Sequence, residues 1–200
     1  PYQVFPDTNK VDEFVRKLKK AKRPLLVSGR GARSSKSSIE DFLSKTGVLY
    51  IDTQDSRGLI SPDHTSNVFA ARSKVMEEAD LIILVGRKLD YQLAYGSPAI
   101  FSKAVFVRIS SNPHELVDNR RGMPEIYGEP NLVFKDLNNR VLNTNFDKEW
   151  ILETKEFHSK KIEKLNSKKT NNLGSDGKIH PNFIFNCIKN LVSDKCIGIA

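Results

Sequence analysis

Apolar residues recur in the first part of the chain with the spacing of an amphipathic helix. In the first such run they lie three and four residues apart, and the opposite face carries lysine and arginine. That run ends before Pro24, a residue that helix interiors do not accept. A second run is followed by Gly47, a residue type that commonly ends a helix. The positions that predict these two helices are Val11, Phe14, Val15, Leu18, Ile39, Phe42 and Leu43.

Short stretches that are almost wholly apolar lie between the helical runs. Continuous apolar strands, as opposed to alternating ones, predict burial on both faces by helices. The predicted strands are Leu25 to Val27, Val48 to Ile51, Leu81 to Val85 and Val105 to Ile109, and a helical turn over 75–79 precedes the third. Strands that alternate with helices in this way predict an α/β fold with an open, mostly parallel sheet.

In such sheets the ligand binds at the carboxyl ends of the strands, so the loops that follow them are candidate sites. The first loop, in LLVSGRGARS, carries Gly29 and Gly31, which would let the backbone approach a pyrophosphate. Ser34 stands where the full dinucleotide fingerprint has a third glycine. A nucleotide-binding loop and a tight turn with serine caps explain this stretch about equally well.

Three other positions carry groups suited to a nucleotide. The loop VGRKLD, residues 85–90, brings two cations and a carboxylate after the most apolar strand, although a solvated loop has the same composition. Asp52 ends the second strand, where an acid can bind a ribose. Arg72 precedes a helical turn, and a surface position is its simplest interpretation.

The composition is that of a soluble globular protein, with 38% hydrophobic and 28% charged residues. A net charge of +8 would suggest nucleic acid if the cations formed a stripe with aromatic residues between them, but they interleave with acidic and apolar positions. We therefore predict no nucleic-acid partner. No apolar run approaches the roughly 18 residues of a membrane span, so we predict no membrane partner and expect the cytoplasm, with an organelle matrix as the alternative.

The chain shows no recognisable catalytic machinery. It contains no Gly-x-Ser-x-Gly elbow, no Walker loop and no carboxylate pair whose pKa values would be driven apart. Its histidines are scattered without metal-ligand spacing and are expected to face solvent: His64, His114, His158 and His180. We therefore predict neither a catalytic residue nor a metal site here.

The character of the chain changes from about residue 142. A Lys- and Glu-rich helical stretch is followed by the polar segment NSKKTNNLGSDGK, and Pro181 begins a new helical pattern. Residues 196–200 read as the start of a strand. We predict an α/β domain over residues 1–145, a helical linker over 146–178 and the cut-off start of a further domain over 179–200.

Four blocks, taken in order, resemble the central domain of thiamine-diphosphate-dependent enzymes. The similarity is to the branch with acetolactate synthase, oxalyl-CoA decarboxylase, 2-hydroxyacyl-CoA lyase and benzaldehyde lyase, and it covers about residues 20 to 140 through block order more than through any one motif. The blocks are AKRPLLVSGRGAR, GVLYIDTQDSRGLISPDH, VFAARSKVMEEADLIILVGRKLDYQLAYGSP and FVRISSNPHELVDNRRG. The tail, DGKIHPNFIFNCIKNLVSDKCIGIA, is similar to the start of the family's cofactor-binding third domain.

The resemblance implies a Rossmann-like three-layer αβα domain with a mostly parallel, six-stranded sheet. It also implies a parent enzyme that makes or cleaves a C–C bond next to a carbonyl, on a 2-keto acid or 2-hydroxyacyl substrate. Thiamine diphosphate and magnesium would bind outside this fragment, and the full-length chain would be a homodimer or homotetramer. In such families the central domain binds FAD, ADP or CoA in some branches and is empty in others.

The same resemblance implies which residues would contact a nucleotide. Where relatives carry an acid for the adenosine ribose, this chain has Ser110, which cannot accept from both ribose hydroxyls as a carboxylate does. Lys88 stands where relatives have arginine, so the charge is kept but the two-pronged fork is lost. The implied nucleotide-binding residues are Gly29, Arg30 and Gly31 at the diphosphate, with Thr53, Gln54, Arg72, Gly86, Arg87, Lys88, Asp90 and Ser110.

Two other kinds of function remain open on these residues. An NAD-dependent dehydrogenase would need the third glycine, and a sirtuin-like deacylase would need a catalytic histidine block and usually four zinc-binding cysteines, whereas the chain has two cysteines. A structural module with an empty pocket, joining two catalytic domains, would need none of these groups. Ligand binding by the purified chain separates the alternatives.

Overall fold

The computed structural model describes residues 3–140, 142–167, 173–174, 176–189 and 191–192. The chain divides into two compact units, Pro1–His158 and Ser159–Ala200. The first unit contains one sheet with its helices. The second contains an antiparallel bridge between Leu173 and Ile179 and a helix that begins at Pro181. The domain boundaries predicted from the sequence stay a prediction.

The sheet of the first unit has five strands, and all of its strand pairs are parallel. Their order across the sheet is β2-β1-β3-β4-β5. The strands are β1 (Pro24–Ser28), β2 (Leu49–Asp52), β3 (Leu81–Val85), β4 (Val105–Ser110) and β5 (Glu125–Tyr127). The structure thus confirms the α/β fold and the four predicted strands, to within one residue at each end.

Seven α-helices are found among the described residues. Asp7 caps the first of them, since its carboxylate accepts a hydrogen bond from the Asn9 amide at 2.8 Å. The left-handed Gly47 (φ 73°) ends the second, as predicted. The helices are α1 (Thr8–Lys20), α2 (Lys36–Thr46), α3 (Arg72–Glu78), α4 (His114–Val117), α5 (Pro130–Asn138), α6 (Lys148–Ser167) and α7 (Pro181–Lys189).

Successive strand residues pack into two separate hydrophobic cores, because side chains alternate between the faces of a sheet. On one face, Leu26 and Ile83 join a cluster that includes apolar residues of α1, α2 and α5. On the other face, Leu25 and Ile82 join a cluster that includes α3 and Trp150 of α6. Burial on both faces explains why these strands are mostly apolar, and why β3 is apolar at every position.

The prediction of six strands was wrong for the part of the chain that the structure describes. Beyond β2, on the outer edge of the sheet, the chain makes a single parallel bridge between Tyr50 and Asn67. The Tyr50 amide donates to Ser66 O at 2.8 Å, and the Val68 amide donates to Tyr50 O at 2.9 Å. The preceding residues turn tightly, with His64 N donating to Ser61 O, so only this one bridge forms in place of a sixth strand.

The strand order creates a crevice at one edge of the sheet. The connection from β1 to β2 carries α2 on one face, and the connection from β2 to β3 carries α3 on the other. From neighbouring strands the chain then runs in opposite directions across the sheet, from β1 to β2 on one side and from β3 to β4 on the other. This is a topological switch point, where open α/β sheets bind their ligands.

The predicted helix from Pro181 is present as α7. The strand predicted over residues 196–200 lies outside the described residues. Among the residues that are described, no helix combines the length and the apolarity needed to cross a membrane.

Candidate functional site

The loops after β1 and β3 are packed directly against each other. The Gly29 amide donates to Val85 O at 2.9 Å, and the Gly31 amide donates to Gly86 O at 3.0 Å. Gly86 itself has a left-handed backbone (φ 55°), and its amide donates to Ile109 O at 2.7 Å. The backbone of three strand ends is thereby fixed at the switch point.

Side chains are excluded from this contact. A β-carbon on Gly29 would lie 2.5 Å from Gly86 O, and one on Gly86 would lie 2.5 Å from Gly31 Cα. Both distances are far below a van der Waals contact. The glycines that resemble a pyrophosphate turn therefore serve to bring the two loops together, and the amide hydrogens of Gly29 and Gly31 are already donated within the protein.

Arg87 lies just beyond this contact and is almost completely buried, with 7% of its side chain exposed. Its Nη2 donates to Asp90 Oδ1 and to Gln92 Oε1, each at 2.8 Å. Its Nε is buried without a hydrogen-bond partner. A buried guanidinium normally has its donors satisfied, so Arg87 retains capacity for a further acceptor.

A cleft of about 510 Å³ opens at this point. Its walls carry three cationic side chains, those of Arg30, Arg87 and Lys88, of which Arg30 and Lys88 reach solvent. Carboxylates also line it, so positive and negative charges face the same space. The residues around the cleft are Arg30, Asp55, Gly86, Arg87, Lys88, Asn112, His114, Glu115 and Asp118.

Ser110, at the end of β4, does not stand alone at the ribose position that the resemblance implied. Its hydroxyl donates to Glu115 Oε2 at 2.7 Å and accepts from the Asn112 amide at 3.0 Å. The chain turns at Asn112 and enters α4, which places the carboxylate of Glu115 at the cleft. The acid that is missing from the strand end is present five residues later in the chain.

Arg108 fixes the loop that carries Glu115. It lies in the middle of β4 and is 1% exposed. Its guanidinium donates to Asp118 O at 2.8 Å and Arg120 O at 2.9 Å, and also to Glu115 O and the Asp118 carboxylate. One buried cation therefore fixes both ends of the turn. Its role depends on contacts across the fold, and no local motif of the sequence marks it.

Thr53 and Gln54 belong to the framework around the cleft. Thr53 is buried, and its hydroxyl donates to Ser28 O at 2.7 Å, which ties the end of β2 to the end of β1. The hydroxyls of Ser28 and Tyr50 are 2.6 Å apart in the same network, and burial raises the pKa of Tyr50. Gln54 begins a short 3-10 turn, and only its backbone is described.

Arg72 occupies the first position of α3 and bridges two loops. Its Nη1 donates to Asp52 O at 2.9 Å and its Nη2 donates to Gln92 O at 3.3 Å. Burial lowers the pKa of Arg72, while the nearby Asp52 carboxylate opposes that effect. Asp52 itself lines a separate cavity of about 290 Å³, with Phe69 among its walls.

The structure therefore brings together some of the predicted residues and adds others. Gly29 and Gly31 meet Gly86, while Arg30, Arg87 and Lys88 line the cleft and Asp90 orients Arg87. Thr53 and Arg72 donate hydrogen bonds to the backbone at the ends of β1 and β2. Asp55 lies in the loop after β2, one of the strand-end loops predicted as candidate sites, but it was not singled out, and Glu115 was missed because only the folded chain brings it to the cleft. The one local signal was Asn-Pro at 112–113, which predicts a turn.

Comparison with known proteins supports the family resemblance that the sequence blocks suggested. A family model described as the thiamine pyrophosphate enzyme central domain matches residues 11–137. The chain is 31% identical over 128 residues to 2-hydroxyacyl-CoA lyase 1 of Dictyostelium discoideum, covering 62% of the chain and 22% of that protein. It is 28% identical over 119 residues to oxalyl-CoA decarboxylase of Escherichia coli (strain K12), covering 58% and 21%. It thus spans about a fifth of the length of these relatives.

Proposed function

Since the chain belongs to the central-domain family of thiamine pyrophosphate enzymes, we propose that its parent protein makes or cleaves a C–C bond next to a carbonyl. The names of the relatives, a lyase and a decarboxylase, support this class of reaction. Thiamine diphosphate, with magnesium, would supply that chemistry. The residues described here do not fit the metal, since they include no group of three or more His, Cys, Asp or Glu side chains able to hold one. We assign no step of the reaction to them.

We propose that this domain binds the ADP portion of a nucleotide in the cleft at the switch point. The observation that carries the proposal is Arg87, a buried cation whose Nε has no acceptor and which lines the cleft. Arg30 and Lys88 add two cations with exposed side chains. Clustered cations of this kind suit a diphosphate.

Glu115, which also lines the cleft, suits the sugar. A carboxylate accepts hydrogen bonds from both hydroxyls of a ribose diol, and the Ser110 hydroxyl already holds the Glu115 carboxylate in place at 2.7 Å. The proposed arrangement therefore has the diphosphate at Arg30 and Arg87 and the ribose at Glu115.

ADP, FAD and CoA share an adenosine diphosphate portion, which is the chemistry that this cleft would recognise. CoA appears in the names of both relatives and FAD in neither, so we favour ADP or CoA. For the parent enzyme we propose a 2-hydroxyacyl or 2-keto acid substrate and a homodimer or homotetramer. Its location in the cytoplasm or an organelle matrix stays a prediction.

Thermal unfolding of the purified chain with ADP, CoA, FAD and NAD tests this proposal. A ligand at a hundredfold excess over its dissociation constant adds about 2.7 kcal/mol of stability, so ADP and at least one larger ligand should raise the melting temperature. In Arg30→Gln the shift should shrink, because a phosphate contact is lost. In Arg16→Gln, an exposed position on α1, the shift should equal that of the wild type.

A structural module with an empty cleft is the second candidate. Two observations favour it. The amides of Gly29 and Gly31 already donate hydrogen bonds within the protein, and the Asp55 carboxylate faces the cationic side chains of the cleft. If none of the four nucleotides changes the melting temperature, the nucleotide proposal fails and this one replaces it.

A further inference from the structure

The carboxylate of Asp55 faces two of the cations that line the cleft. Its Oδ1 lies 3.7 Å from Arg30 Nη2, and its Oδ2 lies 4.0 Å from Arg87 Nη1. Both separations exceed the roughly 3.2 Å limit of an N–H···O hydrogen bond. Asp55 therefore neutralises the arginines without satisfying their donors.

The backbone of Asp55 is fixed more firmly than its side chain. Its carbonyl oxygen accepts from Arg33 Nε at 2.7 Å, and the next residue, Ser56, donates its hydroxyl to Ser28 O at 2.8 Å. The side chain is 39% exposed and has only the two long ion pairs. A rotation of this side chain toward solvent would uncover the arginines and leave the fold in place.

Arg87 provides an independent sign that a closer anion belongs here. Its side chain is 93% buried, since 7% is exposed, and its Nε has no acceptor. Its Nη2 is taken by Asp90 and Gln92, so Nη1 and Nε are the donors without a hydrogen bond. The resident carboxylate lies too far away to supply one.

We propose that Asp55 is a built-in competitor that occupies the phosphate position between Arg30 and Arg87 and must turn away before a phosphate group binds. The inference rests on the proposed function, since it concerns the same cleft. It makes Asp55 a specificity-determining residue: small anions such as pyrophosphate bind weakly, and a nucleotide succeeds through its additional contact at Glu115.

The test is calorimetric titration of the whole chain with inorganic pyrophosphate and with ADP at low ionic strength. In the wild type a bound anion must displace a unit negative charge from the two arginines, an attraction that opposes binding, so Asp55→Asn should bind pyrophosphate about tenfold more tightly than the wild type. Asp63→Asn removes the same charge at an exposed position and should leave the affinity unchanged. In the double variant Asp55→Asn with Arg30→Gln, most of the gain should disappear.

The outcomes separate this inference from the nucleotide proposal. If wild type binds ADP but Asp55→Asn binds pyrophosphate no more tightly than wild type, the competitor role is refuted and the nucleotide proposal stands. If wild type does not bind ADP but Asp55→Asn binds pyrophosphate, the nucleotide proposal fails and the competitor role stands. If no variant binds either anion, both are refuted. Asp55→Ala, which also lacks the carboxylate, replaces Asp55→Asn should the latter alter the melting temperature.

Discussion

The hydroxyl of Ser110 donates a hydrogen bond to the carboxylate of Glu115 at 2.7 Å, across the turn that follows β4. In the sequence, Ser110 stands where the resemblance implied an acid at the end of this strand. In the structure, the same edge of the sheet still presents a carboxylate, delivered by the first turn of α4. The serine orients this group, which lines the cleft.

Replacement of Glu115 by glutamine is expected to weaken ADP binding about tenfold, because a hydrogen bond to a charged acceptor contributes roughly 1.5 to 3 kcal/mol. CoA should lose less, since its 3′-phosphate would be repelled by the native carboxylate. Titration calorimetry with both ligands measures the difference. Glu153→Gln, an exposed position on α6, is the control and should bind like the wild type. Equal ADP affinity for Glu115→Gln and wild type would show that Glu115 does not contribute to ADP binding.

Replacement of Gly86 by alanine is expected to destabilise the fold by about 3 kcal/mol, through strain at positive φ and a clash with the Gly31 backbone. Gly47 is a matched control, because it has a left-handed backbone as well (φ 73°) but nothing within 4 Å of an added β-carbon. Gly47→Ala should therefore cost only about 1 kcal/mol. Urea unfolding measures both. Equal losses at the two positions would show that the close loop contact does not matter.

Replacement of Arg108 by methionine is expected to lower the free energy of unfolding by about 3 to 5 kcal/mol, because the Asp118 carboxylate and three carbonyl oxygens lose their donor. Arg121 is the control. It is 68% exposed, pairs with Glu125 near the surface, and should tolerate glutamine with little change. Chemical denaturation compares the two variants, and a small effect at Arg108 would contradict its role as the clamp of the Glu115 loop.

His158 should make the stability of the first unit depend on pH. Its Nδ1 accepts from the Ala70 amide at 3.2 Å, its ring contacts Phe69, and burial lowers its pKa. On acidification the unfolded chain takes up the proton first, near its ordinary value of about 6.5. The stability contributed by neutral His158 is thus present above that pH and is lost as the pH falls toward the lowered pKa.

The measurement is urea unfolding of the wild type and of His158→Gln on both sides of that range. Glutamine keeps an acceptor for the Ala70 amide but does not titrate, so the wild type should lose more stability on acidification than the variant does. Identical pH profiles would show that His158 does not contribute. The sequence had suggested that this histidine faces solvent. Its position on α6 against Phe69 makes it half-buried instead.

The strands that the sequence predicted are those buried on both faces. Leu81–Val85 is buried at every position, so its apolar composition alone marks it. The fifth strand, Glu125–Tyr127, went unpredicted because it is three residues long and only Ile126 is buried. The sixth strand, implied by the resemblance, is replaced by the single bridge at Asn67. Local patterns thus report burial, and they miss an edge strand with one buried residue.

The cationic half of the cleft was predictable, because Arg30, Arg87 and Lys88 follow directly on strands and strand ends converge at one edge of a parallel sheet. The acidic half was not. Asp55 lies close to Arg87 only because β2 and β3 flank β1, and Glu115 approaches Ser110 only through the turn after β4. Contacts of this kind are set by topology, which no short motif encodes.

A crystal structure of the whole chain grown with ADP tests the nucleotide proposal most directly. We expect the diphosphate within about 3.2 Å of Arg30 and Arg87 nitrogens, the ribose hydroxyls on the Glu115 carboxylate, and the Asp55 side chain turned away from the arginines. ADP bound at another surface, or a cleft that stays empty at saturating ADP with Asp55 still facing Arg30 and Arg87, would contradict it.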